Sequence, residues 1–279
     1  MLPGLRRGEL LHRGRVRGRR RLVGGRHQPV PAGSAAPVTD APDPTSATPG
    51  PDPVRVEEHA DRTEIVLDDG KVNVLSPRML GALDAALDRA EGRGAPVVLA
   101  GRPGVLTAGF DLTVMTGSDP AARAAMVRAG FEVTHRLLGF PLPVVVACTG
   151  HAIAMGAFLL TTGDRRIGVA GGFRIGANET PLGIVMPRFA IALTQGRLAP
   201  AACDRALLTG DFCAPPDALA AGFLDEVVPP DEVRVHAAAV ADHFATFDLA
   251  VYAETKRRVR GPWCDRVRAA IDADAAVLG

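Results

Sequence analysis

The stretch Val144–Cys148 (VVVAC), running directly into residues 149–160 (TGHAIAMGAFLL), constrains the fold more than any other part of the chain. An uninterrupted apolar run led by β-branched residues is the pattern of a strand buried on both faces, as in a parallel sheet covered by helices. Gly150 is expected to end that strand. The small residues Ala154, Gly156 and Ala157, interrupted by Met155, then lead into an apolar helix over 155–162. A helix that starts this way leaves its first N–H groups without internal partners, and its dipole favours negative charge there. Two readings of this turn stand side by side. One is a backbone trap for a developing oxyanion or a phosphate; the other is close packing of helix on strand through small side chains.

The same alternation recurs along the chain. VRVEE and RTEIVLDD read as two strands around a turn at Ala60-Asp61. Residues 70–75 form a loop, and Ser76-Pro77 supplies an N-cap with proline at the first helical position. Met79, Leu80, Leu83, Leu87 and Ala90 share one face of the helix that follows, which Gly92 or Gly94 can end. Residues 96–100 read as a buried strand, 101–111 as a loop with three glycines, and 120–138 as a helix capped by Asp119. A further strand is expected at 166–170. An irregular segment at 173–183 holds one acid, Glu179. Helices are expected at 186–197 and 200–208, within 211–226, and at 231–247, 250–260 and 265–278, with a strand end at Val227-Val228. This order predicts an α/β body with a helical C-terminal part. No GxGxxG follows the first strand and no GxxxxGK[ST] occurs, so dinucleotide and P-loop readings lack their motifs. No internal repeat is evident.

The longest apolar runs fall far short of the roughly 18–20 residues of a membrane helix, so a soluble, cytoplasmic protein is expected. The four cysteines, Cys148, Cys203, Cys213 and Cys264, form no CxxC pair and no metal-ligand spacing. They read as buried or free thiols in a reducing compartment, and no metal site is expected. Only two of the 32 basic residues are lysine, Lys71 and Lys256. Residues 1–53 hold nine arginines and four acids, which leaves the rest of the chain mildly acidic. This Arg/Pro-rich extension lacks an apolar period and is expected to be disordered. A transit peptide, a nucleic-acid-binding arm and a mis-assigned start codon in a GC-rich gene all account for it. The third is preferred, because no aromatics interleave the arginines and no amphipathic face is visible; nucleic acid is not an expected partner.

Two irregular loops follow buried strands, LTAGFD at 106–111 and GHAIAMGAF at 150–158, and each offers small residues and a free N–H. A third loop offers Glu179. Two converging N–H groups and one carboxylate suffice for enolate chemistry: the hydrogen bonds hold a carbonyl oxygen as it becomes negative, and the carboxylate moves the proton. His151, beside the second loop, reads as a partly buried structural histidine rather than an acid/base. Cys148 reads as a small buried residue.

In these motifs the chain resembles the enoyl-CoA hydratase/isomerase (crotonase) superfamily from about Val54 to its end. LTAGFDL is similar to the first oxyanion motif of that family and TGHAIAMGAFL to the second. NETPLGI is similar to the segment that carries a catalytic glutamate, and RALLTGDFCAPPDALAAGFLDEVVPPDEV to the signature beyond it. The resemblance implies a ββα spiral core over 54–198 and a C-terminal helical trimerisation region over 199–279. It also implies an acyl-CoA substrate with no separate cofactor, and a homotrimer or dimer of trimers. The N–H groups of Ala108 and Met155 would form the oxyanion hole, Glu179 would be the acid/base, and Asp111 would close its loop. Lys71, Asn73 and Val74, in the loop at 71–75, would lie along the CoA moiety with Ala108. Lys256 would meet a CoA phosphate.

Two departures from the family pattern bear on the reaction. Two-glutamate hydratases carry a second glutamate where this chain has Phe158. A single glutamate resembles the Δ3,Δ2-enoyl-CoA isomerases, in which one carboxylate removes a proton at C2 and returns it at C4. Met155 also stands where the pattern has glycine, which narrows or reshapes the acyl pocket. The expected reaction is therefore double-bond migration. The alternatives are hydration of 2-enoyl-CoA and a catalytically weak protein that binds acyl-CoA or nucleic acid.

Overall fold

The computed structural model describes residues 52–278, so the expected disordered extension lies almost wholly outside the described residues. The hairpin β1 (Val54–Glu58) and β2 (Thr63–Leu67) forms as expected, with Val56 opposite Ile65. The helix α1 (Pro77–Arg93) starts at Ser76, whose hydroxyl accepts from Met79 N at 3.2 Å, and stops at Gly94 with φ 72°. Its buried face is Met79, Leu80, Leu83, Ala86, Leu87 and Ala90.

Three successive strand pairs then build two sheets. The pairs are β3 (Val97–Ala100) with β4 (Gly104–Thr107), β5 (Val144–Cys148) with β6 (Gly150–Ile153), and β7 (Arg165–Val169) with β8 (Ile175–Gly176). The first strand of each pair joins a six-stranded sheet of order β1-β2-β3-β5-β7-β9, where β9 is Glu226–Val228; the second joins a three-stranded sheet, β4-β6-β8. Apart from the β1–β2 hairpin every pairing is parallel. This is the ββα spiral that the resemblance implies.

Two expectations are corrected here. Gly150 does not end a strand but begins β6, and the glycine-containing loop at 101–111 contains β4. Both corners demand glycine for steric reasons. A Cβ on Gly150 would lie 2.0 Å from the carbonyl carbon of Gly104, and one on Gly101 would lie 2.1 Å from Val105 O.

The helices between the strand pairs are α2 (Leu112–Met115), α3 (Pro120–Gly139) and α4 (Met155–Leu160). Beyond β8 come α5 (Arg188–Gln195), α6 (Pro200–Thr209), α7 (Pro215–Ala221), α8 (Val233–Ala245) and α9 (Leu249–Leu278). The run VVVAC has no polar face because both of its faces are covered. Val144, Val146 and Cys148 join the main core with α1 and α3, while Val145 and Ala147 pack with Val233, Ala237 and Ala241 of α8. The C-terminal region is thus part of the same body, since it supplies β9 and α8.

The helices expected at 250–260 and 265–278 are one helix, α9, with Pro262 inside it. A mid-helix proline costs about 3 kcal/mol. Tertiary bonds on both sides of it offset that cost. Arg260 donates to the carbonyls of Leu138 and Thr162 at 3.0 and 2.9 Å, and Trp263 Nε1 donates to Ala192 O at 3.0 Å.

Lys256 is also corrected by its surroundings. It is 7% exposed, and its Nζ donates to Asp164 Oδ2 at 2.7 Å and Leu142 O at 3.2 Å. Asp164 additionally accepts from Val144 N at 2.7 Å and pairs with Arg260 at 2.8 Å. Lys256 therefore ties α9 to the start of β5, the end opposite the turn after β6, and its ammonium is buried against Asp164 rather than presented to a CoA phosphate. Burial pushes its pKa down to about 8 despite Asp164.

Asp164→Asn would strand two buried cations. We expect it to cost about 3–5 kcal/mol of stability, measured by urea unfolding. A loss below about 1 kcal/mol would show that solvent, not Asp164, screens this pair.

Candidate active site

The parallel β4-β6-β8 sheet gathers three loops at its C-terminal edge: residues 108–111 after β4, 154–156 after β6 and 177–179 after β8. Residue Ala154 is forced to φ 51° and ψ −122°, a conformation that costs a non-glycine residue about 1–3 kcal/mol. Its own N–H is held by Gly176 O at 2.8 Å. The sharp turn throws Met155 into the first helical position of α4. There its N–H meets no acceptor among the described residues.

The first loop approaches this turn through Gly109, with φ 90°. A Cβ on Gly109 would stand 3.0 Å from Ile153 O, 3.1 Å from Ala154 Cβ and 3.4 Å from Met155 N. Gly156 is equally confined, since a Cβ there would lie 2.6 Å from Thr107 O.

The loop's expected donor is corrected: Ala108 N donates to Val72 O at 3.0 Å and is already used. Gly109 N is held by Thr107 Oγ1 at 3.1 Å. The N–H of Phe110, the next residue, meets no acceptor among the described residues. No sequence motif distinguishes the two, because the carbonyl that decides between them lies on a different loop. Asp111 caps α2, accepting from Thr113 N at 2.8 Å.

The loop at 71–75 is stitched to the same edge, with Leu75 N donating to Gly109 O at 2.8 Å. Asn73, expected to face the CoA moiety, is fully buried with φ 55°, and its Nδ2 donates to Leu67 O and Leu106 O at 2.9 and 3.1 Å. Its side chain holds the loop rather than a ligand. Lys71 is exposed and Val74 half-buried at the loop's surface. His151 Nδ1 accepts from Arg174 N at 3.0 Å, which makes it a stitch between strands.

Glu179 precedes a 3-10 turn (Thr180–Leu182). Its carbonyl accepts from Ile184 N at 2.9 Å and Leu182 N at 3.0 Å, so the backbone here is well fixed. Its carboxylate is not: Oε2 is buried without a hydrogen-bond partner among the described residues. Burial raises the Glu179 pKa, against a smaller opposing pull from its own backbone N–H. A carboxylate oxygen left buried and unsatisfied is costly as structure and useful in a base.

Phe158 is buried at 3% exposure in α4. It belongs to an aromatic row: Phe158 meets Phe189 edge-on at 6.3 Å, Phe189 stacks on Phe131 at 4.1 Å, and Phe131 lies 6.4 Å from Phe110. Beside the Glu179 turn a cleft of about 580 Å³ is lined mostly by apolar side chains, among them Ile184, Val185, Met186, Ile191, Leu207 and Leu208. Among the described residues no helix is long and apolar enough to cross a membrane.

The family model described as enoyl-CoA hydratase/isomerase matches residues 58–279. Human mitochondrial enoyl-CoA delta isomerase 1 is 36% identical over 210 residues, 73% of this chain and 68% of that protein. A solved enoyl-CoA hydratase/isomerase family protein from Pseudomonas syringae is 40% identical with TM-score 0.79, covering 82% of this chain and 99% of that one. The solved enoyl-CoA hydratase EchA3 of Mycobacterium marinum is 41% identical with TM-score 0.76, covering 81% of this chain and 100% of that one. The profile, the two-sheet spiral and the convergence of three loops on one edge agree, and this chain belongs to the enoyl-CoA hydratase/isomerase (crotonase) family.

Proposed function

We propose that this protein shifts the double bond of 3-enoyl-CoA to the 2-position, with Glu179 as the sole acid/base. The thioester oxygen sits between the N–H groups of Phe110 and Met155. Glu179 removes a proton from C2, and the electron pair moves into the C1–C2 bond while the negative charge collects on the oxygen. The C3–C4 double bond is then conjugated with the enolate, and the proton returned at C4 leaves the double bond between C2 and C3. Hydrogen bonds that strengthen as the oxygen becomes negative lower the barrier without tightening substrate binding. Lys71 and Val74 lie along the CoA moiety. The apolar cleft beside the Glu179 turn receives the acyl chain. Exposed Leu182, Val251 and Val259 supply apolar surface that a homotrimer, or a dimer of trimers, would bury.

The observation that carries this reading is the pairing of Glu179, whose Oε2 is buried with no hydrogen-bond partner among the described residues, with apolar Phe158 on the oxyanion helix. A phenylalanine cannot orient or deprotonate water. Hydration of 2-enoyl-CoA is the second reading, favoured by the hydratase name of Mycobacterium marinum EchA3, although Mycobacterium tuberculosis EchA3 is described both as a hydratase and as an isomerase. Incubating the pure protein separately with 3-enoyl-CoA and 2-enoyl-CoA distinguishes the two. We expect 2-enoyl-CoA from the first and little 3-hydroxyacyl-CoA from the second; hydration without isomerisation would sink the isomerase reading.

The pH dependence follows from the same burial. Proton removal needs the carboxylate form, and the Glu179 pKa is raised above its ordinary 4.5. Activity is therefore lost as pH falls through that raised value, and the acid limb of kcat/KM should lie above pH 4.5. A pH–rate profile checks this, and a limb below the ordinary glutamate value would exclude Glu179 as the group observed.

A further inference from the structure

Helix α5 has no cap of its own. Its N-cap position is Pro187, which offers no side-chain acceptor, so the first N–H groups of the helix have nothing local to bind. The acceptor comes from α9, at the far end of the chain. Asp274, 7% exposed, accepts from Arg188 N through Oδ1 at 3.1 Å and from Phe189 N through Oδ2 at 2.9 Å. Both carboxylate oxygens are thus committed to a helix N-terminus, where negative charge is favoured. The Arg188 guanidinium adds a looser contact to Oδ1 at 3.5 Å.

The other end of α5 is held by the same helix. Trp263 Nε1 donates to Ala192 O, and a Cβ on Gly196 would fall 2.2 Å from the Trp263 ring. Helix α5 is therefore clamped at both ends by α9.

What α5 carries explains why this matters. Phe189, whose N–H Asp274 holds, is the fully buried hub on which Phe131 stacks and Phe158 rests edge-on. Residues 183–187 connect the Glu179 turn to α5. At the near end of that connection Ile184 N is bonded to Glu179 O, and at the far end Arg188 N is bonded to Asp274.

We propose that Asp274 is a positioning residue for Glu179. By capping α5 from the end of α9, it fixes Phe189, on which Phe158 rests, and the segment that is bonded to the Glu179 carbonyl, and so keeps water from the Glu179 carboxylate. This inference rests on the acid/base reading of Glu179.

The test is Asp274→Asn, which keeps the shape but replaces one acceptor by a donor facing an N–H. Circular dichroism establishes that the variant is folded, and kcat, KM and the pH profile of 3-enoyl-CoA isomerisation are then measured. We expect kcat to fall by about 10-fold or more with KM little changed. The acid limb should move to lower pH, because water re-enters beside Glu179. A change confined to global stability would move neither the limb nor the ratio of kcat to KM effects.

Asp274→Glu, which keeps the charge on a longer arm, should fall between wild type and Asp274→Asn, and it decides the matter if the latter does not fold. Arg188→Ala removes the ion pair but keeps the capped N–H, and should stay within about 2-fold of wild type. A folded Asp274 variant with wild-type kcat and acid limb overturns the proposal, as does an Arg188→Ala variant that reproduces the loss. Glu179→Gln is run in parallel. If it keeps activity, the acid/base reading has failed; if it is inactive while folded Asp274→Asn behaves as wild type, only the role of Asp274 has failed.

Discussion

Glu179→Gln is expected to lower kcat for 3-enoyl-CoA isomerisation by about 10³-fold or more, with KM nearly unchanged. The amide is isosteric and fills the same buried space, but it cannot take a proton from C2. The same group would have to act twice, as base at C2 and as acid at C4, so both halves of the transfer are lost together. The substitution also replaces a buried, unpartnered carboxylate oxygen by a neutral group. The variant should therefore be at least as stable as the parent. An inactive enzyme that unfolds no earlier than wild type is the combined outcome expected from activity and urea measurements. Retention of more than about a tenth of the activity would mean that another group moves the proton.

Gly156→Ala carries the second large effect, and it acts on the oxyanion hole without touching a polar group. The added Cβ would lie 2.6 Å from Thr107 O and 2.8 Å from Thr107 Cγ2. Thr107 ends β4, whose loop holds the Phe110 N–H, and Gly156 follows directly on Met155. The methyl group therefore drives the two donors apart. Loss of one oxyanion donor typically costs about 10²–10³ in rate, and we expect a kcat loss in that range. Overpacking adds about 1–3 kcal/mol of destabilisation. Steady-state kinetics beside a thermal melt separate the two. Wild-type kcat in the folded variant would show that α4 can shift without disturbing its N–H.

Much of this architecture was legible in the chain where local chemistry decides it. VVVAC is a strand because both faces are covered, and Ser76-Pro77 starts a helix through bonds made within four residues. What was hidden depends on distant partners. β4 and β6 lie in stretches whose glycines read as loops and corners, and the pairing of β4 with β6 and of β6 with β8 makes them strands. Lys256 looks like a free surface cation until Asp164 is placed beside it. Asn73 looks available until Leu67 and Leu106 claim its amide. The first oxyanion donor shifts from Ala108 to Phe110 because Val72, on another loop, supplies an acceptor. Pro262 fails to end α9 because contacts with Ala192, Leu138 and Thr162 hold the helix on both sides. Glu179 was readable as the one acid of its segment, whereas the burial of its Oε2 was not.

The central claim is that one carboxylate, with apolar Phe158 where a second glutamate would stand, carries a proton from C2 to C4. The most direct measurement follows deuterium through a single turnover of 3-enoyl-CoA labelled at C2, read by mass and NMR of the product. The account predicts 2-enoyl-CoA with part of the label at C4, because the proton stays on Glu179 for lack of water to exchange with. A product hydroxylated at C3, or a label lost entirely to solvent, would contradict it.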